Sequence, residues 1–433
     1  MYLYELPDLS NEIDNLIINE PDSLWETEDF ITFIESCFEL LAFYIDLNPT
    51  CISEPTFYED LYDDLCYFLT IQFEDHFVDD YFEDDIYLII DDIFELFIDS
   101  YSLSKSVDSS YIIPQDNDKL EKRIDYLRKV PQPVQRTPEW YANRHKLITA
   151  SNAYKAFEKE SVQNQLIYEK CKPIIINNDE RPTNINSPLH WGQKYEPLSV
   201  MIYEYLYNSK VEEFGCIPHD KHLFLGASPD GIIVNKESKR YGRMLEIKNV
   251  VNRVINGIPK KEYWIQMQLQ MEVCNLDYCD FLETKFIELE DSKSFQDEKN
   301  KTDTSHGIIL YFSKNMKPVY VYKPLNIQNE DIDIWIENTI QKYSLSEEYI
   351  WIKTIYWKLE ILSCILVERK KEWFANNIAQ LQKIWDIILY ERENGYQHRA
   401  PKQMLKTNQN QNQNNDSTCL LKVIKIDTEI YNS

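Results

Sequence analysis

Apolar residues recur at three- and four-residue spacing, with carboxylates between them, along DFITFIESCFELLAFYI and DDIYLIIDDIFELFIDSY. That spacing gathers the apolar side chains on one face of a helix. Residues 1–104 therefore read as a helical module. Over 105–135 the stretch SKSVDSSYIIPQDND, a short charged helix and VPQPVQ read as a linker. A second domain begins near Arg136 and extends to about residue 400. TPEWYANRHKL and TASNAYKAF start as capped helices, with Thr137 ahead of Pro138 and Thr149 or Ser151 as the capping hydroxyl. SPLHWGQKYEPLSVMIYEYLYN predicts a longer helix. Short strands follow at KVEEFGCI, LFLGA, GIIV and RMLEIKNV, then the helix KKEYWIQMQLQMEVCN. Strands resume at YCDFLETKF, HGIILYF and PVYVYK, and ERKKEWFANNIAQLQKIWDIILYER closes the domain as a helix. The tail, 401–433, contains the polar low-complexity run TNQNQNQNNDS. This order predicts an α/β (α+β) domain behind an acidic all-helical N-terminal module.

Charge changes the picture. The net charge is −28, but residues 1–100 hold 28 of the 73 Asp and Glu and no Lys or Arg. The remainder carries 73 − 28 = 45 acidic residues against 45 basic ones. An acidic chain as a whole argues against nucleic acid; a neutral second domain removes that argument, because it can hold a local basic groove. Six of the eight glycines lie between Gly192 and Gly257. The nine cysteines are scattered, with no CxxC, which favours reduced thiols in an intracellular setting without zinc or an iron–sulfur cluster. MYLYELPDLSNEID lacks the profile of a signal peptide, and no apolar run of about 18 residues predicts a membrane span.

The candidate chemistry lies where glycine concentrates. In GASPDGIIV, Asp230 sits in a turn between two strands. Eleven residues beyond Val234, LEIKN places Glu246 and Lys248 on one face of a strand and Leu245 and Ile247 on the other. Glu196 lies on the preceding helix, one turn after Gly192, and Tyr263, Gln266 and Gln270 share a face of the helix that follows. Each piece alone has an ordinary explanation: a turn, an exposed charged pair, a wet helix face. Together, carboxylates and a lysine are what metal-assisted phosphodiester hydrolysis needs, because hard oxygen ligands hold Mg²⁺ or Mn²⁺ and a lysine offsets developing charge.

HWGQKYEP, GASPDGIIV, LEIKN and YWIQMQLQMEV stand in the order of the PD-(D/E)xK nuclease superfamily, over about residues 136–400. Within it the chain resembles the YqaJ-like viral recombinases and lambda-type exonuclease, and it also looks similar to giant-virus Cas4-like nucleases. The resemblance implies a restriction-endonuclease-like core, a central mixed sheet flanked by helices. It implies Asp230, Glu246 and the Ile247 carbonyl as metal ligands, Lys248 as the catalytic lysine, Glu196 near a second metal and Gln266 facing the site. It also implies a site for a terminal 5′-phosphate made by Arg144, Ser151, Ser228 and Arg253, with Tyr263 on the DNA-binding side. Cas4 proteins usually hold an iron–sulfur cluster on a clustered set of cysteines; no such set occurs here.

The expected function is a Mg²⁺- or Mn²⁺-dependent 5′-to-3′ exonuclease on double-stranded DNA ends, serving viral recombination, repair or defence. A structure-specific or nicking endonuclease, an RNA nuclease and a catalytically silent DNA-binding scaffold are the alternatives. Family resemblance also implies a homo-oligomer, dimer or trimer, and for a viral protein the host cytoplasm, the viral factory or the virion. For the acidic module three roles stay open: a solvated cap, a dock for a basic partner such as a helicase or a single-strand-annealing protein, or a cover over the DNA groove.

Overall fold

The computed structural model describes residues 27–72, 83–100, 116–135, 137–174, 184–299, 305–327 and 331–400. Among the described residues the N-terminal module has three amphipathic helices, α1 (Thr27–Leu47), α2 (Phe57–Gln72) and α3 (Glu83–Ser100). Their apolar faces meet in a core of its own that includes Phe33, Phe38, Leu61, Leu65, Ile93 and Phe97. Each such side chain, fully buried, contributes about 1.5–3 kcal/mol. The tail 401–433 lies outside the described residues.

The stretch expected as a linker behaves differently over its described part, 116–135. Helix α4 (Asn117–Lys129), capped by Asp116, buries Ile124 and Leu127 in the core of the second domain. Arg123 donates to the carbonyls of Cys274 and Val273, and Arg128 pairs with Glu212. This segment is part of the domain, because its two apolar positions find a partner surface that the sequence alone does not display.

Helices α5 (Pro138–His145), α6 (Ala150–Ala153), α7 (Glu160–Cys171) and α8 (Pro188–Leu206) precede all the strands except β1 (Ile148–Thr149), which lies between α5 and α6. Thr137 caps α5 by accepting from the Trp140 amide at 3.2 Å. The strands are β1 (Ile148–Thr149), β2 (Val211–Glu212), β3 (Ile217–Pro218), β4 (Leu225–Ala227), β5 (Gly231–Ile233), β6 (Met244–Asn249) and β7 (Tyr278–Leu289), with α9 (Lys261–Cys274) before the last. Then come α10 (Ser292–Lys299), β8 (His306–Lys314), β9 (Lys317–Tyr322), α11 (Ile332–Ser344), β10 (Tyr349–Glu368) and α12 (Lys371–Asn394).

Seven strands form one sheet in the order β2-β5-β6-β7-β10-β8-β9. Only β6 and β7 run parallel; the other neighbours are antiparallel. A small sheet, β1-β4-β3, stands beside it. The central mixed sheet flanked by helices is thus present. Two strand expectations shift. KVEEFGCI splits, Val211–Glu212 joining the large sheet and Ile217–Pro218 the small one. YIWIKTIYWKLEILSCILVE, which the sequence reading leaves unassigned, is the 20-residue β10 at the heart of the sheet.

The two faces of the sheet have different covers. Helix α8 lays Tyr195, Leu198 and Ile202 with Phe286 and Trp357, and Tyr203 with Leu245, Ile247 and Leu282. On the other face α9 packs Ile265, Leu269 and Val273 with Met244, Phe281 and the helices α4, α7 and α12.

Candidate active site

Strand alternation decides which side chains meet. Leu245 and Ile247 enter the core beneath α8, so Glu246 and Lys248 turn toward α9. Antiparallel pairing sets Gly231 opposite Leu245 and draws the preceding Asp230 alongside β6. A side chain at position 231 would collide with Val211, since a Cβ there would lie 2.1 Å from its Cγ1. Glycine lets β5 close against β2 and leaves the aspartate at the junction.

Asp230 Oδ2 accepts from the Ile247 amide at 2.7 Å. Glu246 is 1 % exposed. Its Oε1 accepts from Lys248 Nζ and from Gln266 Nε2 at 2.7 Å, and its Oε2 accepts from Gln270 Nε2 at 2.7 Å. Gln266 and Gln270 lie one turn apart on α9, so two amides converge on one carboxylate. Burial of a carboxylate without partners is costly, and here both oxygens have donors. Lys248 Nζ also stands 4.8 Å from the Tyr263 ring centroid, a cation–π contact.

Burial, with the charges of Glu246 and Glu196 behind it, raises the Asp230 carboxyl well above the usual carboxylate range. Burial alone would lower the Lys248 ammonium; the carboxylates of Glu246 and Asp230 outweigh it, and its pKa is raised. Glu196 is half-buried on α8, and a Cβ at Gly192 would meet nothing within 4 Å, so the space one turn before Glu196 is open. Among the described residues no group of three or more His, Cys, Asp or Glu side chains is placed to hold a metal ion together.

Gln270, on the helix face that Tyr263 and Gln266 share, holds Glu246 as closely as Gln266 does. One member of this site is not in the set expected from sequence. Glu283, fully buried on β7, pairs with Arg253. Burial raises the Glu283 carboxyl and Arg253 opposes the rise.

Over residues 139–277 the sequence matches the YqaJ-like viral recombinase domain. That span contains Glu196, Asp230, Glu246, Lys248, Gln266 and Gln270, the residues just brought together. The segment is thus similar to YqaJ-like viral recombinase domains. An uncharacterized protein of Acanthamoeba polyphaga mimivirus is 32% identical over 309 residues, 63% of this chain, and the chain spans 55% of that protein's length. Among solved structures the chain is similar to an alkaline exonuclease from Laribacter hongkongensis, at 19% identity and a TM-score of 0.36, over 60% of this chain and 95% of that one. The same exonuclease in complex with dAMP gives a TM-score of 0.35 at the same identity and coverage.

The second domain also gathers part of the expected phosphate set. Arg144 Nη2 donates to Ser151 Oγ at 2.9 Å and approaches Thr149 Oγ1 at 3.5 Å, and its guanidinium lies 4.4 Å from the Trp140 ring centroid. Among the described residues it has no carboxylate partner, and burial lowers its pKa. Thr149 pairs with Gly226 across β1 and β4, which carries Ser228 to the same end of the small sheet. The Ser228 hydroxyl is buried with no hydrogen bond of good geometry. Lys170, 6 % exposed, donates to the Arg144 carbonyl at 2.7 Å. Burial, then Arg144 and Arg392, push Lys170 down to about 7. Sequence gave no sign of Lys170, because a lysine on a charged helix is ordinarily solvated. Arg253 pairs with Glu283 and lies 5.7 Å from the Tyr263 ring centroid.

Proposed function

We propose that the second domain hydrolyses DNA phosphodiester bonds with Mg²⁺ or Mn²⁺, as a 5′-to-3′ exonuclease on double-stranded ends. The observation that carries this reading is the buried junction of Asp230, Glu246 and Lys248, with two glutamines fixing the glutamate. The donor set fits a hard divalent cation, since it consists of carboxylate oxygens. Asp230 and Glu246 would hold the ion, with Glu196 close by. The want of a third clustered ligand is consistent with Mg²⁺, which keeps several waters and is bound through one or two carboxylates plus substrate phosphates. When bound, such a metal polarises the phosphate and stabilises the attacking and leaving oxygens.

The chain's own residues do the rest. Gln266 and Gln270 orient Glu246 by fixing both of its oxygens. Lys248 presents an ammonium beside the carboxylates, where it can donate to a phosphate oxygen and offset charge that develops there. Asp230 is fixed by the Ile247 amide on the adjacent strand. Arg144, backed by Trp140 and beside Ser151, Thr149 and Ser228, offers a planar fork and hydroxyls to a terminal phosphate.

The test is a digest of end-labelled linear duplex beside covalently closed circular plasmid, with Mg²⁺, Mn²⁺ or EDTA. Loss of the linear duplex from its 5′ ends, with the closed circle intact and EDTA blocking both, is the expected result. Nicking of the circle would replace the exonuclease by an endonuclease. Retention of both substrates with DNA bound would make the domain a scaffold.

A further inference from the structure

A recess of about 250 Å³ opens at the N-terminal end of α8. Trp191 and Lys194 of α8, Val251 after β6, and Tyr311, Tyr320 and Lys353 line it. The last three form a row across three strands. Lys353 on β10 is in register with Tyr311 on β8, and Tyr311 with Tyr320 on β9. The two tyrosine rings lie 5.2 Å apart, centroid to centroid, and all three aromatic rings of the wall are half-buried. Lys194 stands 4.6 Å from the Trp191 ring centroid and is bonded to Glu288. Lys353 is exposed and makes no ion pair among the described residues. His190, 4 % exposed, bonds Tyr320 through Nε2 at 2.6 Å, while its Nδ1 and the Trp191 Nε1 are buried without partners.

The recess adjoins the strand that bears Glu246 and Lys248, since Val251 in its wall follows Lys248 by three residues. Asn249, next to Lys248, donates to the Gly192 carbonyl at 3.2 Å. Gly192 separates Trp191 from the turn that bears Glu196, and the space a Cβ would fill there is empty. Val251 in the wall is 39 % exposed, and Leu189 on the first turn of α8 is 74 % exposed.

Half-buried aromatic faces, a free cation and an apolar rim are the parts that hold an unpaired nucleobase. Stacking of a base on an aromatic side chain is worth about 1–3 kcal/mol and tolerates any sequence, because every base has a π-face. The volume lies below the roughly 300–1,000 Å³ of pockets that enclose drug-sized ligands, which suits one base and not a base pair. We propose that this recess takes one unstacked nucleobase of the DNA strand running through the active site, with a phosphate of that strand on Lys353. The proposal rests on the reading of the domain as a DNA nuclease.

The experiment uses the full chain in EDTA, so that DNA is held and not cut. A duplex with a single-stranded extension containing 5-iododeoxyuridine is bound and irradiated, and the cross-linked peptides are identified by mass spectrometry. Cross-links at Trp191, Tyr311 or Tyr320 are expected. In parallel, affinity for a thymidine oligonucleotide is measured by anisotropy across a salt series. Tyr311→Ala should weaken binding about 5- to 100-fold. Lys353→Gln, an exposed change that leaves the core alone, should lower the slope of log K against log salt by about 0.7. Cross-links elsewhere, together with an unchanged salt slope in Lys353→Gln, would overturn the proposal. End-labelled duplex digested by the same preparations with Mg²⁺ reports separately on the nuclease reading. Cleavage without recess cross-links sinks this inference alone, and cross-links without cleavage sink the nuclease alone.

Discussion

Replacing Lys248 by methionine tests the central claim about the site, that a buried carboxylate depends on one ammonium. Glu246 is 1 % exposed and Lys248 supplies the one cationic side chain bonded to it among the described residues. Methionine keeps most of the side-chain volume, so the perturbation is loss of charge. Removing one partner of a buried pair costs about 3–5 kcal/mol. The lower end applies here, because Lys248 is 23% exposed and the Gln266 and Gln270 amides remain on Glu246. A loss of about 3 kcal/mol corresponds to a fall in Tm of roughly 6–12 °C, at about 2–4 °C per kcal/mol for a domain of this size. The assay is calorimetry in EDTA at pH 8, repeated with millimolar Mg²⁺. The divalent ion should recover more of the Tm in Lys248→Met than it adds to the wild type, since it restores positive charge beside Glu246 and Asp230. Glu246→Gln in the Lys248→Met background should return at least half of the loss, as the stranded charge is then gone. A Tm within 1 °C of wild type for Lys248→Met in EDTA would refute the reasoning, whatever the variant does to cleavage.

Other outcomes follow from the phosphate end and the module. A 5′-phosphorylated duplex should be degraded faster than a 5′-hydroxyl one, and Arg144→Ala or Arg144→Lys should erase the difference, because a point charge does not replace the planar fork; equal rates in the wild type would remove Arg144 from the site. Lys170 titrates at about 7 in the folded chain against 10.5 as its ordinary value, so the native state binds fewer protons between those pH values and stability rises as pH climbs through that window. Lys170→Met should flatten this rise by about 2 kcal/mol between pH 7 and 9, read from urea midpoints at the two pH values, and an unchanged pH dependence would count against the buried lysine. Ile258 packs against the module core, Glu54 pairs with Lys370 at 3.2 Å, and Glu54 and Glu59 line a cavity of about 780 Å³ with Arg253, Lys260 and Lys261. Removing residues 1–104 should therefore tighten DNA binding at low salt, with the gain fading as salt rises, and identical affinities in filter binding would show that the module does not screen that basic edge.

The sequence alone determined the elements whose pattern is local. Helical spacing with carboxylates between apolar residues marked the N-terminal module, and alternation on LEIKN put Glu246 and Lys248 on one face before any partner strand was known. Antiparallel and parallel neighbours then had little freedom, because a one-residue slip would have turned both charges into the core under α8. Tertiary structure decided what depends on a surface from elsewhere in the chain. β10 is central, yet its run of aromatic, β-branched and charged residues carries no clean alternation, since it bends through two register shifts and faces different covers along its length. Helix α4 looks like a charged connector until α9 and the small sheet offer a socket for Ile124 and Leu127. Arg253 follows the Glu-x-Lys strand in the sequence, and its pairing with buried Glu283 on the parallel strand, beside Tyr263, came only with the fold. Lys170 and Arg144 meet through a backbone carbonyl 26 residues away, a contact that leaves no period or motif in the chain. Spacing along one strand or helix is written in the sequence; the pairing of charges across elements is set by which buried groups would otherwise stand without a partner.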